Sequence, residues 1–290
     1  MTTCKYGAHQ FLWIEHWTDQ SIDLLDEVRE LGLDCFEISL GDDVSFNPVP
    51  VRKRAEQLGL ELTVGPGNVW PMECDISLES VEYQHSGMEW HRRIIRKAAE
   101  LGAVAYCGAT YGHPGHVLRQ PVQIAEIKRI AENLHELAKY AESLSVELVI
   151  EPMSRFRTHL LHTSQQAVDL ILMADHPNLY INLDTYHMIT EERDYSSAIS
   201  ISGNKLRGIH ACENDRGVPG GGLVPWVDVF RALENTCPNA RILMETYNTG
   251  QHGFGYKRGI FKDVCPDANE FVRKGLSFLK NCAKEVHQTN

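Results

Sequence analysis

Four residues in this chain combine the chemistry of a metal ligand with the same local setting. Glu151 closes the run VELVIE, Asp184 closes LYINLD, His210 closes LRGIH and Glu245 closes ARILME. Pro152 follows Glu151 and cannot donate to a strand ladder, so that strand stops with its acid at the carboxyl end. Three carboxylates and one imidazole are a hard-to-borderline donor set, better suited to Mn²⁺, Mg²⁺ or Co²⁺ than to a thiolate-rich structural zinc site. Four such ends on successive strands are what a metal centre at the mouth of a barrel of parallel strands requires.

Other polar residues gather around the same expected mouth. His187 lies three residues past Asp184, where a neutral imidazole would hydrogen-bond a substrate hydroxyl. The run GIHACENDRGVPGGGLVPW places Glu213, Asn214 and Arg216 on a loop whose glycines let the backbone turn tightly. It contains no GxGxxG phosphate loop, so a nucleotide site is not expected. The polar segment YGHPGH brings His113 and His116 as candidate acids, bases or holders of a leaving group. Trp13, Trp70 and Tyr111 are candidates for a wall over the substrate.

These residues need a scaffold, and the chain alternates short apolar runs with amphipathic ones from end to end. Strands are expected at Lys5 to Phe11, Cys35 to Leu40, 60–66, 103–109, Val146 to Ile150, Leu179 to Leu183, Leu206 to Ile209 and Arg241 to Met244. Helices are expected from Thr18 or Asp19 to Leu31, at Pro48 to Leu58, Ser80 to Leu101, Val122 to Leu144, Ser164 to Ala174, near Ser196, at Trp226 to Glu234 and at Ala268 to Val286. In the fourth helix Ile124, Ile127, Ile130, Leu134, Leu137 and Ala141 form one apolar stripe. Strand–helix alternation of this kind means a parallel sheet with helical crossovers, and about eight units close it into a (β/α)8 TIM barrel of the α/β class. No linker interrupts the pattern, so residues 1–290 are expected to form a single barrel domain.

Composition narrows the function. With 43% hydrophobic and 23% charged residues the chain can build a large core, and a net charge of -11 disfavours nucleic acid or an anionic membrane as partner. The N-terminus lacks a basic region followed by an apolar core, and no apolar run approaches a membrane span, so a cytoplasmic protein is expected. Eight scattered cysteines without a C-x-x-C pair read as reduced thiols.

FEISLG at 36–41, EPMSRF at 151–156, NLDTYHM at 182–188, HACENDRGVPGGG at 210–222 and METY at 244–247 together resemble the landmarks of the xylose-isomerase-like barrel superfamily. Within it the chain is similar to the D-tagatose 3-epimerase and D-allulose 3-epimerase family over nearly its whole length. The resemblance implies a metal-dependent keto-sugar epimerase, in which Glu151, Asp184, His210 and Glu245 hold a divalent metal, usually manganese. It further implies that Glu151 and Glu245 exchange protons, that His187 and Arg216 contact the sugar near C1, and that the chain forms a homo-oligomer, a dimer or tetramer. The chemistry is coherent from first principles. A metal chelated by a ketose makes the C3 proton removable through a cis-enediolate, and inversion at C3 needs one base on each face of that planar species. No organic cofactor is called for.

The pattern departs from that family at two places. Six residues after the first ligand the epimerases carry a second glutamate that binds substrate, whereas this chain has Arg157, which inverts charge and hydrogen-bond polarity. Arg157 and Arg216 together would suit a carboxylate, as in a keto-sugar acid. His113 and His116 stand in a loop that typically carries an aromatic residue over the sugar. Both departures keep open an alternative on the same barrel: the catalytic subunit of a C-glycoside deglycosidase, a lyase acting on 3-oxo-glycosides with a small β-rich partner subunit.

Overall fold

A computed structural model describes the chain except residues 1, 2, 68, 249, 251, 252 and 290, with backbone alone at 289. Eight parallel strands close into a barrel in sequence order: β1 (Lys5–His9), β2 (Cys35–Leu40), β3 (Glu61–Pro66), β4 (Ala105–Gly108), β5 (Glu147–Ile150), β6 (Leu179–Asp184), β7 (Leu206–Ala211) and β8 (Arg241–Met244). The closure pairs β1 with β8 at Lys5↔Arg241 through Ala8↔Met244. The (β/α)8 expectation from the sequence is the fold observed.

The helices start and stop where local chemistry dictates. α1 (Leu24–Glu30) is preceded by a 3-10 turn at Asp19–Asp23, so the expected single helix from Thr18 is a tighter turn feeding a shorter α-helix. α2 (Pro48–Leu58) begins with the Asn47 side chain accepting from Val49 N and with proline at its first position, and ends at Gly59 in the left-handed region. α3 (Val81–Glu100) and α4 (Ile124–Ser143) follow, then α5 (Ser164–Ala174), opened by a Thr163/Gln166 capping box. α6 (Thr185–Glu191), α7 (Tyr195–Ser202), α8 (Trp226–Thr236), α9 (Phe254–Lys257) and α10 (Ala268–Thr289) complete the shell. Strand β1 is shorter than expected because the His9 ring nitrogen Nδ1 accepts from Phe11 N and turns the chain into a 3-10 segment at Gln10–Leu12. The apolar stripe of α4 is buried at Ile130, Leu134, Leu137 and Ala141, but Ile124 at its first turn is 65% exposed.

Two cores result. The large one packs the outward strand faces, such as Phe36, Ile38, Leu148 and Ile181, against the helices. A small one, Ala105, Cys107 and Val149, fills the barrel interior. Below it, at the amino ends of the strands, a ring of charges closes the barrel base. Glu61 pairs with Lys5 and with Arg241 Nε at 2.7 Å, Arg241 Nη1 reaches Glu147 at 3.0 Å, and Arg207 Nε reaches Glu147 at 2.8 Å. Among the described residues, no helix is long and apolar enough to cross a membrane.

Candidate metal centre and active site

Parallel register is what gathers the ligands. Asp184 stands opposite His210 in the β6–β7 pair, and Ala211 opposite Met244 in the β7–β8 pair, so Glu245 follows one step beyond. Gly108 stands opposite Ile150, and Glu151 continues the ladder by donating its N–H to Gly108 O at 3.1 Å. All four side chains are buried at the carboxyl end of the barrel. One ligand atom each from Asp184, His210 and Glu245 lies within 4.8 Å of the others, as does one each from Glu151, Asp184 and His187. The two groups share Asp184.

The donors are crowded in a way that hydrogen bonding does not satisfy. His210 Nδ1 lies 2.7 Å from Glu151 Oε2 and 3.5 Å from Glu245 Oε2, and its Nε2 lies 3.4 Å from Glu37 Oε1. Neither ring nitrogen makes an aligned hydrogen bond, and Asp184 Oδ2 accepts none either. Buried carboxylate and imidazole atoms within 4.8 Å of one another, without full hydrogen bonding, are the donor types of a cation site. The residues present therefore fit a divalent metal held by oxygen and imidazole.

Arg216 is the cation already there. Its Nη2 lies 2.8 Å from Asp184 Oδ2 and its Nη1 donates to Glu245 Oε2 at 2.8 Å. It sits at φ +66°, a left-handed backbone that costs energy for a residue with a side chain. The surrounding loop sustains that strain through Glu213. Glu213 accepts from Gly220 N at 2.6 Å, Val224 N at 3.1 Å and Trp226 Nε1 at 2.7 Å. Glycine is required at 222, where an added Cβ would lie 2.5 Å from Glu213 Oε2. Glu213 and Asn214 thus organise the loop, and Asn214 accepts from Leu223 N rather than facing a ligand.

The electrostatics pull neighbouring carboxyls apart. Burial raises the Glu245 carboxyl, but Arg216 and His210 outweigh it and hold the group below the usual range. Burial lifts Asp184 to about 7 despite Arg216. Burial and then Arg216 keep His187 neutral, well below an ordinary histidine. For His210 burial works against charge, but Glu151, Glu245 and Glu37 raise it well above normal.

Three further residues belong to the site although sequence reasoning assigned them no part. Glu37 accepts from Thr63 Oγ1 at 2.8 Å and backs His210 from below. His9 lies 3.7 Å from Glu37 Oε1 and 3.1 Å from Ser39 Oγ. Asn182 Nδ2 donates to Glu151 Oε2 at 2.8 Å and fixes that carboxylate. The available signal was a polar side chain inside an otherwise apolar strand, CFEISL or KYGAH, which must be partnered once buried.

Above the ligands opens a cavity of about 70 Å³, bordered by Glu151, Glu245, His210, Trp70, Arg157 and Arg258 among others. A larger cavity of about 370 Å³ lies between α4 and α5, but its walls are mostly apolar and include none of the candidate ligands. Of the expected substrate contacts, Arg157 borders the mouth, whereas His187 and Arg216 lie behind it, buried against Asp184. The loop histidines are not brought to the cavity wall. His113 Nε2 is 2.7 Å from Trp70 O, and His116 Nδ1 is 3.3 Å from Asp75 Oδ2. Trp70 borders the cavity, Trp13 Nε1 donates to Asn269, and Tyr111 is wholly buried with its hydroxyl on Glu151 O.

Comparison with known proteins places this architecture. The family model described as xylose isomerase-like TIM barrel matches residues 25–282. The chain is 29% identical over 293 residues to a ketose 3-epimerase of Arthrobacter globiformis, covering 98% of this chain and 100% of that protein. It is 27% identical over 270 residues to a D-psicose 3-epimerase of Ruminiclostridium cellulolyticum, covering 92% of each. The solved D-psicose 3-epimerase with D-tagatose from Clostridium cellulolyticum H10 superposes with a TM-score of 0.86 at 25% identity, over 96% of this chain and 99% of that one.

Proposed function

The chain belongs to the xylose isomerase-like TIM barrel family, and from that premise we propose that it is a metal-dependent ketose 3-epimerase. The observation that carries the reading is the approach of two carboxylates to one imidazole from different sides of the mouth. Glu151 follows β5 and Glu245 follows β8, with β6 and β7 between them, and both reach His210 Nδ1.

Glu151, Asp184, His210 and Glu245 would hold the metal, for which manganese is the species proposed; when bound it draws electron density from a ketose carbonyl and acidifies the neighbouring C–H. The protein's own residues do the rest. Removing the C3 proton leaves a planar carbon, and returning a proton to the opposite face inverts the centre. That sequence needs two groups on opposite faces, one accepting and one donating. Glu245 is kept ionised by Arg216 and steadied by the Tyr247 hydroxyl, which donates to Oε1 at 3.3 Å. Glu151 is oriented by the neutral amide of Asn182. His187, held neutral behind the cavity wall, adds no charge beside Asp184.

The lyase alternative drew on Arg157 and on the loop histidines; Arg157 does border the cavity, whereas His113 and His116 are engaged with Trp70 and Asp75. Incubating the manganese-loaded protein with D-fructose, D-psicose, D-tagatose and L-ribulose, then separating the products, tests the proposal. The C3 epimer of at least one ketose is expected, and recovery of all four unchanged would remove the reading.

A further inference from the structure

Three arginines stand at or near the mouth, and they are not equivalent. Arg216 is fully engaged by Asp184 and Glu245 and lies behind the cavity wall. Arg157 borders the cavity, and its guanidinium makes no hydrogen bond or ion pair among the described residues. Its backbone, by contrast, is tied down: N donates to Ser154 O at 2.8 Å, and O accepts from Gly115 N at 2.6 Å. Arg258, just past α9, borders the same cavity. Its guanidinium carbon lies 5.6 Å from the ring centres of Tyr247 and Phe254 and 5.9 Å from that of Phe11. Arg157 and Arg258 border one cavity together with Tyr247 and Glu245, so both charges face the same space.

A guanidinium without a counter-ion at the edge of a binding cavity, with a second one beside aromatic rings on the same cavity, is a receptor for a planar or tetrahedral oxyanion. Neutral hydroxyls do not call for it, since a hydroxyl accepts a hydrogen bond without needing two cations. We propose that Arg157 and Arg258 select a keto-sugar that carries an oxyanion, a carboxylate or a phosphate, away from its reacting carbon. The inference rests on the keto-sugar reading of the mouth. It also revises the pairing expected from the sequence, because Arg258 replaces Arg216 as the partner of Arg157.

Isothermal titration of the manganese-loaded protein with D-fructose, D-fructuronate and D-fructose 6-phosphate tests it on matched ligands. At least one anionic ligand is expected to bind about tenfold tighter than D-fructose or better, and the arm that tightens distinguishes carboxylate from phosphate. That preference is expected to collapse toward unity in Arg157→Gln and in Arg258→Gln, so either variant reports if the other fails to fold. Affinities within twofold of D-fructose for both anions, or a preference retained in both variants, would overturn the proposal. Deuterium exchange at C3 on the same samples keeps the two readings apart. Exchange on D-fructose with no anion preference overturns this inference alone; an anion preference with no exchange on any ligand leaves it standing and removes the epimerase.

Discussion

The two ends of the barrel are both ringed with charge and built to opposite ends. At the base, Lys5, Glu61, Arg241, Glu147 and Arg207 form a chain in which every carboxylate meets a cation. At the mouth, Glu37, Glu151, Asp184 and Glu245 crowd around Arg216 and His210, with lone pairs left over. The base satisfies itself and stabilises the fold. The mouth keeps one carboxyl, Asp184, that burial pushes up despite Arg216, and unrelieved burial of that kind is expected at a functional site rather than in the scaffold that carries it.

The contrast is broken most strongly by removing Glu245, one of the two proposed acid–base groups, from the mouth. Glu245→Gln should lower turnover by about 10²–10⁴-fold, the range for loss of one acid–base group, a larger proportional effect than the fall in melting temperature from breaking its ion pair with Arg216. Equal loss of stability and activity would mean the mouth is scaffold after all. Arg241→Met is the converse. It leaves Glu61 and Glu147 facing each other without their shared cation, and urea titration should show a loss toward the lower end of about 3–5 kcal/mol with turnover within twofold.

Metal removal sharpens the same contrast. Chelation should lower the melting temperature, and manganese at a hundredfold excess over its Kd should restore about 2.7 kcal/mol, a gain that Asp184→Asn diminishes. The smallest effect is in pH. Asp184 is raised from 3.8 to about 7 in the folded chain, so between those values the folded state holds the extra proton and stability falls as pH rises. In chelator, Asp184→Asn should therefore gain on the parent protein in melting temperature from pH 5 to pH 7.5. A constant difference would mean that burial does not govern this carboxyl.

What could be read from the sequence depended on where a residue sits in its element. Glu151, Asp184, His210 and Glu245 each close an apolar run, and strand ends are visible because period-2 patterning stops there. Glu37 and His9 lie inside or at the very end of buried strands, where the same pattern hides a polar side chain among apolar ones. Side-chain direction was invisible: Glu213 sits on the loop over the mouth yet turns back to its own backbone. Arg258 follows a four-residue helix with no periodicity to announce it. The base network escaped because its pairs join residues as distant as Glu61 and Arg241, 180 positions apart, and charge pairing at that range leaves no local trace.

The central claim is that Glu151 and Glu245 serve opposite faces of one carbon. It is tested most directly by following C3 of a turned-over ketose by NMR in D₂O at early times. The two-carboxylate arrangement predicts deuterium at C3 of the product epimer while the recovered substrate keeps its proton. Deuterium entering recovered substrate as fast as product, or product that retains the original proton, would contradict it.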